Sequence, residues 1–231
     1  MFDALKTLRS AHHASALALA IGVLAPAAHA ANFSFSAGFP GSNPGNGMWT
    51  YVERDVASLA ENNLTALSMT AYSGNGCSPA CWTPIWRDLT QRNTVPAVWA
   101  NNTNVNWQSY GGCCQPVPMP KKCLHVHPGN LKDLVVQFTV PPKPNGGSYT
   151  MAHLNGTITH EDFNGGNGVN WLVQVNHGLP PFSGYLNANS TVFPAQGLSV
   201  STGALIDIVV NANNGDEFFD SASVCGSITL T

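Results

Sequence analysis

The run Val169-Asn-Trp-Leu-Val-Gln-Val-Asn176 alternates: Val169, Trp171, Val173 and Val175 fall on one side, and Asn170, Gln174 and Asn176 on the other. Successive side chains of an extended chain point to opposite faces, so this period of two predicts a strand with one buried face. The pattern recurs. In Leu205–Ala212, Ile206, Ile208 and Val210 oppose Asp207, Val209 and Asn211, and near the end Val224, Ile228 and Leu230 oppose Cys225. The stretches Asp133–Pro142 and Ser148–Thr159 behave alike, and Gly and Pro (22 and 16 residues) punctuate the runs as turns do. Only Val52–Asn63 reads as a short helical turn. Many short antiparallel strands with tight turns predict an all-β, antiparallel β-sandwich of the jelly-roll kind.

The first 30 residues stand apart from this pattern. Lys6 and Arg9 precede the apolar run Ala14–Ala28, and Ala28-His29-Ala30 is a small-x-small site, so residues 1–30 read as a signal peptide. The run is short and broken by Pro26, which disfavours a membrane anchor. The expected product is residues 31–231, a single domain, secreted or periplasmic, with no membrane span after cleavage. Without Lys6, Arg9 and Asp3, the 9 basic and 12 acidic residues become 7 and 11, a net charge of −4. Nucleic-acid partners, which require clustered cations, are excluded on this balance. Charged residues make up 9% of the chain, so Asn, Ser, Thr and Gly must solvate the surface, as suits neutral, polar ligands.

Six cysteines in an exported chain form an even set: Cys77, Cys81, Cys113, Cys114, Cys123 and Cys225. Disulfides are the expected use, with a thiolate zinc site the alternative. Adjacent Cys113 and Cys114 bond each other only under strain, which makes Cys77 and Cys81 their natural partners. Five of the six, with Trp82, Trp86, Trp99, Trp107 and Tyr110, lie in an insertion spanning about 74–123, read either as a satellite core or as a binding rim.

Cys123-Leu-His-Val-His-Pro-Gly129 carries two histidines two residues apart. In a strand, Leu124 and Val126 point into the core, while Cys123, His125 and His127 share the outer side. Cys225 occupies the outer side of the last strand, so a Cys123–Cys225 bond matches both patterns. Two imidazoles on one face can bind a transition metal, face a ligand, or serve structure alone. No Glu follows in the spacing that the cupin metal motif needs. Upstream, Asn-Pro and Asn-Gly turns lead into Met48-Trp49-Thr50-Tyr51, whose Trp49 and Tyr51 share a face. That pair is either core or a platform on which sugar rings stack their C–H faces.

These features come in a particular order: Asn43-Pro44-Gly45-Asn46-Gly47-Met48-Trp49-Thr50-Tyr51, His127-Pro128-Gly129, Val135-Val136-Gln137-Phe138-Thr139-Val140-Pro141, Gly147-Ser148-Tyr149, Asp207 with Asn211, and Asp220 ahead of Ile228. In that order the chain resembles an exported bacterial jelly-roll module, similar to carbohydrate-binding modules, marked by Asn-Pro-Asn-Gly-x-Trp-x-Tyr and a later His-Pro-Gly. Gly45 is an insertion in the first motif, Phe138 stands where the family usually has tryptophan, and the Cys77–Cys123 region is additional. The resemblance implies the jelly-roll fold and a glycan or cell-surface polysaccharide as partner; it implies no enzymatic activity.

The stretch Asn211–Asp220 gathers Asn211, Asn213, Asp216 and Asp220 around Gly215. Such oxygens suit calcium, although the spacing is not that of an EF-hand, and a solvated polar hairpin is the alternative. No nucleophile elbow, helical zinc motif or phosphate loop occurs, and Glu53 and Glu161 are the only acids that merit testing. The sequence thus predicts a non-catalytic binding module for polar neutral ligands, with glycans the expected class, contacted by Trp49, Tyr51, His125 and His127. A ligand-free structural or matrix protein, and a metal-dependent enzyme centred on the two histidines, are the competing readings.

Overall fold

The computed structural model describes residues 30–37, 39, 47–56, 64–71, 84–88, 90, 95–110, 116–162, 165–216 and 218–231. Residues 1–29, on which the signal-peptide expectation falls, and Cys77, Cys81, Cys113, Cys114 and Trp82 lie outside these residues. In chain order the strands are β1 (Ala31–Ser34), β2 (Trp49–Asp55), β3 (Thr65–Ala66), β4 (Ser68–Ala71), β5 (Pro84–Arg87), β6 (Ala97–Asn101), β7 (Trp107–Tyr110), β8 (Pro116–Met119) and β9 (Cys123–His127). They continue with β10 (Lys132–Thr139), β11 (Met151–His160), β12 (Val169–Val175), β13 (Phe182–Leu186), β14 (Ser190–Val192), β15 (Leu198–Ser199), β16 (Leu205–Ala212) and β17 (Ala222–Leu230).

Two antiparallel sheets form a β-sandwich. Sheet A has nine strands in the order β14-β11-β17-β9-β6-β5-β4, with β1 added to β17 and β15 to β11; sheet B runs β13-β12-β16-β10-β2-β3. The alternating residues do what their period requires. Ile206, Ile208 and Val210 of β16, Val169, Trp171 and Val173 of β12, and Leu124 and Val126 of β9 all enter one core between the sheets. Burying each such side chain contributes about 1.5–3 kcal/mol, and the core is continuous across both layers.

Two expectations change here. Val52–Asp55, read as the start of a helical turn, is the second half of β2, because β10 pairs with it along its length, Lys132 opposite Asp55 through Phe138 opposite Trp49. The region 74–123 is also not an appendage throughout: β5 and β6 extend sheet A, with β6 hydrogen-bonded to β9. Its β7–β8 hairpin forms a separate two-stranded sheet, and Trp107 and Met119 make a satellite core with Trp99.

In the middle of sheet A, Gly156 and Gly226 face each other with φ of 154° and 126°. A Cβ on Gly156 would stand 1.9 Å from the Cys225 carbonyl oxygen, so only glycine permits this approach. The two carbonyls accept hydrogen bonds from Phe193 and Phe35, whose rings meet in the core at 6.0 Å.

Candidate functional site

Cys123 and Cys225 are paired directly across β9 and β17 and form a disulfide with a Cα separation of 4.3 Å, closing a span of 102 residues. His125 lies two residues along the same outer face, opposite Ser223 on one side and Trp99 on the other. The alternation is therefore as expected, but the exposure is not. His125 retains 1% of its surface, with its ring stacked against Trp99 at 5.9 Å and Nε2 3.4 Å from the Pro120 carbonyl oxygen. Burial depresses its pKa from 6.5 to about 4, which keeps the imidazole neutral. The physical reason is that the polypeptide around the β7–β8 hairpin crosses this face, so an outward-pointing side chain is still enclosed. His127, half-buried, directs Nδ1 to the Pro128 carbonyl oxygen at 2.8 Å. Among the described residues no group of three or more His, Cys, Asp or Glu is arranged to hold a metal.

Trp49 and Tyr51 do share a face, but it is the inner one. Both belong to the main core, where Trp49 packs on Phe35 and Phe138 and Tyr51 on Phe39. Burial drives the Tyr51 phenol far above its ordinary pKa. The expected surface of Trp49, Tyr51, His125 and His127 is accordingly corrected: two of the four rings fill the sandwich and a third is covered.

The outer face of sheet B is organised differently. Strand register sets its side chains in rows running across the strands. One row joins Gln137, Asp207 and Gln174: both amides donate to the buried Asp207 carboxylate, at 3.0 and 3.2 Å, and His177 Nδ1 stands 2.9 Å from it. A second row, Val52, Val135, Val209 and Leu172, is apolar. The third begins at the buried pair Arg54–Asp133, where Nε and Nη2 donate to Oδ2 at 2.9 and 2.7 Å. Asn211 Nδ2 donates to the remaining Asp133 oxygen at 2.6 Å. Asn170 follows, opposite Asn211, and Tyr185 of the edge strand lies opposite Asn170.

This third row passes from a closed ion pair to solvent. Tyr185 is 48% exposed, yet its hydroxyl donates to the Asn167 carbonyl at 2.5 Å, which fixes the ring. The Asn213 side chain donates to the same carbonyl at 3.1 Å and accepts from Asn170 Nδ2 at 3.2 Å, and Asn167 Nδ2 donates to the Asn213 carbonyl at 2.5 Å. Exposed Phe218 borders Gly166, while exposed Leu131 and Asn130 border Gly215. The result is a patch of tethered amides with apolar side chains at its margin, at the end of sheet B where β12 and β10 begin and β16 ends.

Three comparisons bear on the chain. No family model matches it, and neither does any curated protein. Among solved structures it is similar to the CBM51 from Clostridium perfringens GH95, solved in complex with methyl-galactose, with 11% sequence identity, a TM-score of 0.36, and coverage of 71% of this chain and 92% of that one. The patch is therefore read from its own chemistry.

The four residues expected to hold calcium have separate partners. Asn211 bonds Asp133, Asn213 bonds Asn167 and Asn170, Asp216 accepts from the Phe218 amide, and fully buried Asp220 lies 3.9 Å from His160. Of the two acids singled out from the sequence, Glu53 lies on β2 of sheet B and Glu161 directly follows β11 of sheet A. Burial raises the Glu53 pKa, reinforced by neighbouring Asp88 and opposed by Lys132. Burial also raises that of Glu161, against an opposing hydrogen bond from Ser223. Sequence reasoning missed Tyr185, Asn167 and Arg54. The signal available was the outward side of the β12 and β16 alternation, which already set Asn170 and Asn211 opposite the apolar faces of their strands.

Proposed function

We propose that the protein is a non-catalytic binding module for neutral glycans, which it holds at the Tyr185 patch of sheet B. The observation that carries this reading is a half-exposed tyrosine ring, fixed by its hydroxyl and set in register with an amide row. A sugar ring offers C–H faces that pack on an aromatic surface and hydroxyls that exchange bonds with amides, and a ring already immobilised loses little entropy on binding. Formal charge is absent from the exposed part of the row, since Arg54 and Asp133 neutralise each other beneath the surface. Along the row itself a ligand with charged groups would find no counter-ion, whereas a neutral polar one meets donors and acceptors. The reading places the protein outside the cytoplasm, which the Cys123–Cys225 bond and the leader-like residues 1–30 support.

The test is retention of the purified protein on insoluble neutral polysaccharides. Retention that weakens roughly tenfold in Tyr185→Ala, from loss of about 1–2 kcal/mol of stacking and burial, supports the reading. Equal retention of a folded Tyr185→Ala variant on every polysaccharide would remove this patch as the site.

A further inference from the structure

The strands β1, β17, β11 and β14 adjoin one another in sheet A and contain no Asp, Glu, Lys or Arg at all. Their inward residues, among them Phe33, Leu154, Ile158 and Ile228, enter the core. Their outward residues align in cross-strand rows: Asn32–Thr229–His153, then Ser34–Ser227–Asn155, with Thr157 opposite Val192 and Thr159 opposite Ser190 beyond them. All of these remain half-buried or exposed, with the segment at Gly197 lying against the His153 ring. Within the array Asn155 Nδ2 donates to Thr229 Oγ1 at 2.9 Å, which ties neighbouring rows together.

An exposed sheet face of this extent ordinarily carries charges that solvate it and deter strand pairing. Here hydroxyls and amides repeat at the spacing of the sheet itself, about 4.8 Å between strands and about 6.8 Å along them. The absence of cations excludes a polyanion, and the scarcity of large apolar side chains leaves little to bury against a lipid surface or a protein core. A flat neutral surface presenting its own repeated hydroxyls matches the array in charge and in hydrogen-bonding capacity.

We infer that this outer face of sheet A is a second docking surface for neutral polysaccharide, separate from the Tyr185 patch. The two lie on opposite outer faces of the sandwich, because Tyr185 shares the outer side of sheet B with Asn170 while Thr157 and Ser227 share that of sheet A. One molecule therefore engages two polymer surfaces at once and bridges them; this bridging rests on the glycan reading given above, whereas the sheet A contact does not require the Tyr185 site.

Binding and particle bridging are measured together on suspensions of cellulose, chitin, xylan and mannan, by depletion of protein from solution and by sedimentation rate. The wild type is expected to bind and to aggregate the particles of at least one polymer. Thr157→Lys/Ser227→Lys, which places two charges on the sheet A face at half-buried outward positions, keeps binding through Tyr185 and loses aggregation. Tyr185→Ala also loses aggregation while retaining weaker binding, and the combined variant is not retained. Far-UV circular dichroism and the denaturation midpoint establish that each variant folds. If the double lysine variant binds and aggregates as the wild type does, the second surface is overturned and the Tyr185 reading stands. If instead it loses binding while Tyr185→Ala loses none, the sheet A face stands and the Tyr185 reading falls; a wild type that binds none of the four overturns both.

Discussion

Replacing Asp133 by alanine isolates the interaction on which the amide row is built. The Arg54 and Asp133 side chains are 2% and 5% exposed, and the carboxylate receives two bonds from the guanidinium and one from Asn211. Removing it leaves a guanidinium enclosed without its counter-charge and an amide without its acceptor. Breaking a buried pair in this way costs about 3–5 kcal/mol, a large part of the 5–15 kcal/mol by which domains are typically stable. The same reasoning makes a second prediction about the pair as a whole. Arg54→Met/Asp133→Leu removes both charges together and should cost within about 1–2 kcal/mol of wild type, since apolar substitution of an entire buried pair is often close to neutral. Equilibrium urea unfolding of the wild type, Asp133→Ala, the single variants Arg54→Met and Asp133→Leu, and the double variant measures both predictions and closes the cycle, with equal slopes confirming one transition. An Asp133→Ala cost below about 1 kcal/mol, or a double variant as unstable as the sum of its singles, would refute the reasoning that the charges are desolvated and mutually dependent.

Other outcomes follow from the same structure. Because His125 titrates near 4 when folded but near 6.5 when unfolded, the unfolded chain binds more protons between those values, so stability falls as pH drops through that window, by up to about 3 kcal/mol. His125→Phe should remove this component, and identical pH profiles of the denaturation midpoint for the two proteins would contradict it. Reducing the Cys123–Cys225 bond, which closes a span of 102 residues, should cost about 4–5 kcal/mol in the chain-entropy model; unfolding with and without reductant measures it, and an unchanged midpoint counts against it. Trp49→Ala should cost about 3–5 kcal/mol through the cavity left among Phe35 and Phe138, and a stable Trp49→Ala protein would show that the indole is not part of the core.

Strand alternation made the inner and outer sides of β9, β12, β16 and β17 legible in the sequence, and with them the Cys123–Cys225 bond. Period two assigns residues to a shared side without saying what lies above it. For His125 the covering element is the β7–β8 hairpin that directly precedes β9, and the enclosure follows from contact with Pro120, five residues back, and with Trp99 of β6, which the alternation within β9 does not encode. For Trp49 and Tyr51 the shared side was correctly read, yet only pairing with β10, whose Val136 and Phe138 face inward, determines that it is the core side. Tyr185 was hidden for a different reason. Its strand Phe182-Ser-Gly-Tyr-Leu186 is short and interrupted by Gly184, where a side chain would collide with Trp171, so the alternation there is too brief to stand out.

The most direct measurement is NMR titration of isotopically labelled protein with neutral gluco-, manno-, galacto- and xylo-oligosaccharides, following side-chain amide and tyrosine ring resonances. The glycan reading predicts shifts that saturate with one of these sugars and concentrate on Tyr185, Asn167, Asn170 and Asn213. Shifts centred on His125 and His127 with Tyr185 unmoved, or no saturable shift with any sugar, would contradict it.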